Sequence, residues 1–462
     1  MSKKNRATMF KLKHILPIAL LFGVASVNTA KAQVTEPENT DTTISTLSRY
    51  GQELELLKRI KVSGYLQAQF QYADSSGQQS FNGGNFPAGV DKRIAVRRGR
   101  VKFQYDSQLN DKGWNTSQYV LQFDVTEKGL TIKDAYLKFT DPWCGWFNFT
   151  AGMQNRPFGY EIGYSSNLRE SPERGRMSQI LFPGERDLGG MVTLQAPKIS
   201  RWNWLKLEAG YFNGTGARGP GLDASDFDKF KDFIGHLSFA KNTANEKIRY
   251  GGGVSVYDGG FRIDTVDVFK IGKDSLGLTS FVFENKKADF YSVGIATRKA
   301  AKRKYVGADV QLSVDWIGGL TTIRGEYIQG DQPGFSSSTA SPAAANTSSI
   351  YKRSFNGAYF YFLHNIMQSP WQVVVKYDWY DPNTDVEGND IGKKVANSSA
   401  RAFNATDLKY ETIGLGLIYR WDANVRITAY YDMVKNETSE NLSGYTKDLK
   451  DNVFTLRTQI RF

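Results

Sequence analysis

Cysteine is almost absent from this 462-residue chain, and proline is scarce, with 1 and 13 copies respectively. Cys144 alone can form no internal disulfide and no cysteine-based metal centre. Histidine is nearly as rare, at three copies, and His14 lies in the first residues. Only His236 and His364 remain for acid–base chemistry. His236 stands near Ser238 with no evident third partner, so the sequence calls for no catalytic residue and no cofactor. Beyond the N-terminus there is no long apolar run, which excludes a bundle of membrane-spanning helices. No basic stripe and no nucleic-acid-binding motif is present, so nucleic acid is not an expected partner.

What the chain does have begins with its first residues. Lys3, Lys4, Arg6, Lys11 and Lys13 precede the apolar run Ile15 to Val27, and Ala30-Lys31-Ala32 follows with small-x-small spacing. This pattern predicts a signal peptide over residues 1–32, with export and Gln33 as the new N-terminus. The leader carries six basic residues and no acidic one. The rest of the chain then has 53 basic against 47 acidic residues, a net charge of +6, mild and interspersed. Residues 33–60 read as a polar linker followed by a short amphipathic or coiled-coil helix, with Ile44, Leu47, Leu54 and Leu57 at helical spacing.

From residue 61 to the end the period changes to two. Leu66, Ala68, Phe70 and Tyr72 alternate with Gln67, Gln69 and Gln71, and the closing strand sets Phe454, Leu456, Ile460 and Phe462 against Thr455, Arg457, Gln459 and Arg461. Tyrosine (24), phenylalanine (29) and glycine (44) are abundant, and many strands carry aromatics at both ends. A mean hydropathy of −0.45 is compatible with a membrane barrel, because only alternate residues of each strand meet lipid. The expected fold is therefore all-β: a transmembrane antiparallel barrel over 61–462.

Sixteen strands fit the pattern, near 62–72, 95–105, 116–125, 131–139, 146–153, 188–196, 203–212, 231–240, 248–257, 304–315, 319–329, 351–363, 371–380, 409–420, 424–434 and 452–462. A further candidate, 289–298, would make the count odd. Tight connections at 316–318, 364–370 and 421–423 define one end, which should be periplasmic. On that frame 258–303 is a single excursion at the opposite, extracellular end, and 289–298 belongs to it. About sixteen strands is the size that leaves an aqueous channel. The terminal Phe462 has the character of an insertion signal for outer-membrane barrels.

Strand phase places charges in the lumen. Val101, Phe103 and Tyr105 face out, so Arg98, Arg100 and Lys102 face in, while Arg97 falls out of phase, which suggests a bulge, a rim position or a subunit contact. Segment 154–187 is too long for a turn and is predicted to fold inward. It holds Arg156, Arg169, Arg174, Arg176 and Arg186, but also Glu161, Glu170, Glu173, Glu185 and Asp187. Its arginines either form a cationic constriction that selects anions or pair locally with these carboxylates. A second basic cluster, Arg298, Lys299, Lys302, Arg303 and Lys304, sits where an outer loop rejoins the barrel. It fits an anion funnel or an anchor for outer-leaflet phosphates.

Three stretches carry a family resemblance: Arg97-Arg98-Gly99-Arg100; Ala151-Gly152-Met153-Gln154-Asn155-Arg156-Pro157-Phe158-Gly159; and Phe182-Pro183-Gly184-Glu185-Arg186-Asp187-Leu188-Gly189. Over about residues 60–462 the chain resembles the phosphate-selective porin O and P family. The resemblance implies a homotrimeric sixteen-strand porin in the outer membrane of a Gram-negative bacterium, bathed in outer-membrane lipid and passing phosphate or polyphosphate. It carries Arg98 and Arg100 over as anion contacts. The near balance of charge in 154–187 departs from a simple arginine ladder. The rival readings are a barrel hydrolase, a gated transporter with a larger barrel and plug, and a structural or adhesive barrel with little conductance.

Overall fold

The computed structural model describes residues 54–216, 226–265, 267–284, 299–344, 347–395 and 400–462. Residues 54–58 are helical, where the helical spacing over 44–60 ends. The leader, most of the linker and the 289–298 candidate lie outside the described residues.

The compact unit Leu56–Phe462 is a barrel in which each strand pairs with the next. The first nine strands are β1 (Ile60–Ala73), β2 (Lys92–Asp106), β3 (Ser117–Thr126), β4 (Gly129–Thr140), β5 (Phe147–Asn155), β6 (Arg186–Gln195), β7 (Leu205–Phe212), β8 (Asp232–Asn242) and β9 (Ile248–Arg262). After an excursion the wall resumes with β12 (Ala300–Trp316), β13 (Gly319–Gly334), β14 (Ile350–Asn365) and β15 (Trp371–Asp381). It ends with β17 (Tyr410–Arg420), β18 (Val425–Asn436) and β19 (Val453–Arg461). β19 pairs antiparallel with β1, so the sixteen strands close and no edge is left open. Phe462 completes the seam: its N–H donates to the Gly64 carbonyl at 3.0 Å and its carbonyl accepts from the Gly64 N–H at 3.0 Å.

Every barrel strand lies where the alternation places it. The excursion is more than a loop, however. It contains the hairpin β10 (Val268–Lys273) and β11 (Thr279–Phe283), which joins the top of β14 and the short β16 (Ala400–Arg401). Phe269, Phe281, Tyr351, Phe403 and Leu408 form a buried apolar cluster there, beyond the barrel wall.

The outside matches what a bilayer demands. Leu66, Val254, Val256, Val306, Val310, Ile323, Phe360, Leu415 and Ile460 are exposed on the outward phase. Trp143, Trp202, Trp316, Trp371 and Trp421 crowd the end with the short turns, as an interfacial aromatic girdle does. The wall is uneven in height: β3 to β7 run 8 to 12 residues, whereas β9 and β12 to β14 run 15 to 17.

Candidate functional site

Between β5 and β6 the chain enters the lumen, as expected for 154–187, and carries a short helix, α1 (Arg176–Leu181). Its backbone leaves sheet pairing, so its polar groups need other partners. The barrel wall supplies them. Gln67 Nε2 donates to the Ser166 carbonyl (3.0 Å), Gln459 Nε2 to Asn167 (3.0 Å), Arg426 Nη2 to Arg169 (2.8 Å) and Arg457 Nη1 to Pro172 (2.6 Å). The loop is thus held from the side of β1, β18 and β19.

Two carboxylates act as electrostatic hubs. Glu173 meets Arg97 Nε at 2.8 Å, Arg98 Nη2 at 2.7 Å and Arg457 Nη2 at 2.9 Å. Two adjacent residues reach it because β2 bulges there. Gln67 pairs with Arg98 but Ala68 pairs with Val96, so Arg97 is the extra residue and turns inward. Gly99 completes the motif, since a Cβ there would sit 2.2 Å from the Val125 carbonyl oxygen. Burial pushes the Glu173 carboxyl up, but Arg97, Arg98 and Arg457 outweigh it and hold it well below the ordinary glutamate range. Glu185 is ringed likewise, by Arg186, by Arg174 at 3.0 Å and by Arg169 at 3.9 Å, and its backbone takes a left-handed φ of 66°. Arg186 also pairs with Asp134 at 2.9 Å. Three guanidinium groups face one carboxylate at Glu173 and two, Glu185 and Asp134, at the second hub, which leaves a cationic surplus at both.

The opposite flank of the loop is apolar. Phe158, Met177, Leu181 and Phe182 pack against Tyr257, Tyr305, Ile328, Phe355, Tyr359 and Tyr361, and this core fills the lumen beside the tall wall. Glu326 on β13 seats the turn into it, accepting from the backbone N–H of Tyr160 (3.1 Å) and Glu161 (3.0 Å) and from the Tyr359 hydroxyl (2.9 Å). Gly159 makes that approach possible. Its φ is +59°, and a Cβ there would overlap the Glu326 carboxylate at 1.8 Å.

Along the low wall a cavity of about 1130 Å³ remains, bordered by β1 to β9, β12 and the loop. The residues singled out from sequence divide accordingly. Arg100, Lys102, Arg156 and Arg186 line this cavity. Arg174 and Arg176 border a much smaller void above the loop, where Arg176 lies 3.5 Å over the Tyr410 ring and 4.5 Å over Phe81. Arg98 and Arg169 are buried in the seam between loop and wall. Arg100 has Asp124 at 3.5 Å, and Arg156 donates to the Pro183 carbonyl at 3.1 Å. Even so, Arg100 Nε, Arg156 Nε and Arg169 Nε and Nη1 are buried without a hydrogen-bond partner among the described residues. Both expectations for 154–187 therefore meet in one structure: the loop folds inward, and most of its arginines are paired.

Sequence reasoning flagged Arg97 as out of phase, with a bulge among its readings, but not its partner Glu173, and it missed Lys133, the extra residue of β4 where Gln122 pairs with Asp134 and Phe123 with Ile132. The signal was a pair of cations that no single strand phase could place. The basic cluster after the excursion also splits. Arg303 points inward to Asp232 at 2.6 Å, whereas Lys302 and Lys304 point out, and Arg298 lies outside the described residues. His236, for which the sequence offered no partner beyond Ser238, lies 3.2 Å from Asp309 and 3.9 Å from Glu208.

No family model matches the chain, and no curated protein sequence does. Among solved structures it is similar to the anion-selective porin from Comamonas acidovorans, at 10% identity and a TM-score of 0.48, over 87% of this chain and 99% of that one. It is also similar to the outer-membrane channel DcaP of Acinetobacter baumannii, at 13% and 0.48, over 87% and 97%. A trimer form of OmpT from Vibrio cholerae gives 11% and 0.47, over 87% and 99%. By its own geometry the chain is an outer-membrane β-barrel that is closed, apolar outside, and charged and loop-narrowed inside.

Proposed function

We propose that this protein is a porin through which small hydrophilic solutes cross the outer membrane along the low wall, with a preference for anions that extends to phosphate. The observation that carries this reading is the excess of guanidinium groups over carboxylates around Glu173 and Glu185, three to one and three to two, which leaves positive charge in the narrowed lumen. Arg100 and Arg156 support it because both border the cavity, where an anion would meet their positive charge. Arg100, Lys102, Arg156 and Arg186 are the anion contacts of this proposal. Arg98, Arg169 and Arg174 hold the loop that shapes the passage, and Arg176 stands beyond it. Assembly as a homotrimer belongs to the same reading, and crosslinking of the unheated species tests it.

The experiment is the reversal potential of the double variant Arg100→Gln and Arg156→Gln in a planar bilayer. Removing two charges from a poorly screened lumen should lower the chloride-to-potassium permeability ratio several-fold and weaken block of chloride current by phosphate. An unchanged ratio in a channel of normal conductance would overturn the anion preference while leaving the porin standing. Absence of conductance in correctly assembled wild-type protein would overturn the porin and favour a structural barrel.

A further inference from the structure

A second cavity of about 1130 Å³ lies at the long-loop end, and strand phase puts it on the outside of the barrel. Lys302 shares the outward phase of β12 with the exposed Val306 and Val310. That series ends at Trp316 in the girdle of the opposite end. Lys302 therefore stands just above the apolar belt, at the level of lipid headgroups. The floor of the groove is apolar, with Tyr211 and Phe233 (ring centroids 5.4 Å apart), Phe230 and Ile271. Its rim carries Lys229, Lys231, Lys270, Lys299, Lys302 and Lys352.

Charge accounting selects three of these. Lys352 pairs with Glu284, Lys231 with Asp226, and Lys229 stands over the Phe230 ring at 5.7 Å. Asp258 and Asp331 are the two register partners of Lys304, which lies beside the groove. Lys304 offsets one of that pair, so Lys270, Lys299 and Lys302, exposed and without a salt bridge among the described residues, face Asp385 and one further carboxylate. The hairpin of β10 and β11, which brings Lys270 to the wall, is what makes this outer surface a groove rather than a flat face.

We propose that this groove binds one lipid of the outer leaflet whose headgroup carries phosphate monoesters, with its acyl chains running down the apolar wall below Tyr211 and Phe233. Doubly charged phosphates match three clustered ammonium groups, and an aromatic floor above an aliphatic belt suits a molecule with a charged head and chains. The proposal goes beyond the passage of solutes and holds whatever the lumen conducts. It requires only that the barrel sits in an outer membrane with its long loops outward.

The test uses the full-length mature protein, purified in detergent and delipidated, with native mass spectrometry counting bound lipid. The probes are a glycolipid with two phosphate monoesters, the same lipid after phosphatase, and inorganic phosphate. One phosphorylated glycolipid should bind per barrel. At about fivefold per lysine, the triple variant Lys270→Gln, Lys299→Gln, Lys302→Gln should bind roughly 100-fold more weakly. Lys112→Gln, Lys198→Gln, Lys247→Gln, at the short-turn end, should bind as wild type does. All six residues are on the surface, and the faster gel mobility of unheated protein checks folding. Equal binding of the dephosphorylated lipid, or undiminished binding by the first triple variant, would overturn the proposal. Displacement of the lipid by millimolar inorganic phosphate would identify a free-anion site and overturn the lipid assignment.

Discussion

The lumen has two unlike halves, and the contrast between them locates the passage. Beside the tall strands β9 and β12 to β14, aromatic residues turned inward meet the apolar flank of the loop, and protein fills the space. Beside the low strands β3 to β7, the inward side chains are amides, hydroxyls and charges, and the space stays open. The loop is the common element. It presents Phe158, Met177, Leu181 and Phe182 to one side and its charged hubs to the other. Each apolar side chain buried contributes about 1.5–3 kcal/mol, so this packing sets where the loop rests, and the loop sets the width of what remains. An inward phase is thus common to both halves, but only one of them is water-lined.

The largest effect should come from the hub that ties the loop to the low side. Glu173→Gln leaves Arg98 and Arg457 buried, and Arg97 half-buried, around a neutral group, and loss of one partner from such a set costs about 3–5 kcal/mol. The temperature at which the fast-migrating unheated species disappears should fall, and single-channel current should become noisy as the loop detaches. The sign of the pH dependence follows from the direction of the shift. The folded carboxyl is held well below its ordinary range, so its stabilisation is complete above about pH 5 and is lost as the pH falls through the lowered value. Wild type and Glu173→Gln should therefore converge in acid. A constant gap between them across that range would remove Glu173 from the account. Adding Arg98→Gln to Glu173→Gln should restore part of the loss.

Period-two alternation made all sixteen strands legible, together with the inward phase of Arg98, Arg100, Lys102 and Arg457, because lipid on one side tolerates few charges. The hubs were not legible. Arg98, Arg97 and Arg457 lie 75, 76 and 284 residues from Glu173, and nothing local announces that they converge. The bulge at Arg97 adds one residue and breaks the phase that the reading relied on. Alternation also separates inside from outside without saying whether the inside is water or protein. Tyr257, Tyr305, Tyr359 and Tyr361 were inward aromatics in a lumen expected to be polar, and only the packed loop explains them. The β10–β11 hairpin escaped because its strands are short and lie beyond the belt, where no bilayer enforces a pattern.

On the tall side, Phe158→Ala should cost about 3 kcal/mol, since the ring is fully buried against Phe182, Tyr257 and Tyr305. Met191→Ala, half-buried where the edge of that core meets the open low side, should cost about 1 kcal/mol. The comparison is read from the same heat-dependent mobility shift in both variants. Equal losses would mean that the two halves are packed alike. Phe158→Ala should also raise conductance, because the loop loses its anchor on the filled side.

The smallest effect tests the contrast without disturbing it. With Cys144 replaced by serine, single cysteines at Thr193 and Ser238 would line the open cavity, whereas one at Thr428 would be buried on β18 opposite Arg457, where the loop meets the wall. A small anionic methanethiosulfonate added to an open channel should reach the first two and reduce the current in part. It should leave the third unmodified, since Thr428 is only 4% exposed. Charge sharpens the same measurement. If the surplus around Glu173 and Glu185 governs the field along the low wall, the anionic reagent should react at Thr193→Cys several-fold faster than its cationic counterpart, and the ratio should shrink in Arg100→Gln. Rapid modification at Thr428→Cys would mean that solutes pass on both sides of the loop. Equal rates for the two reagents would mean that the carboxylates, though outnumbered, cancel the arginines where solutes pass.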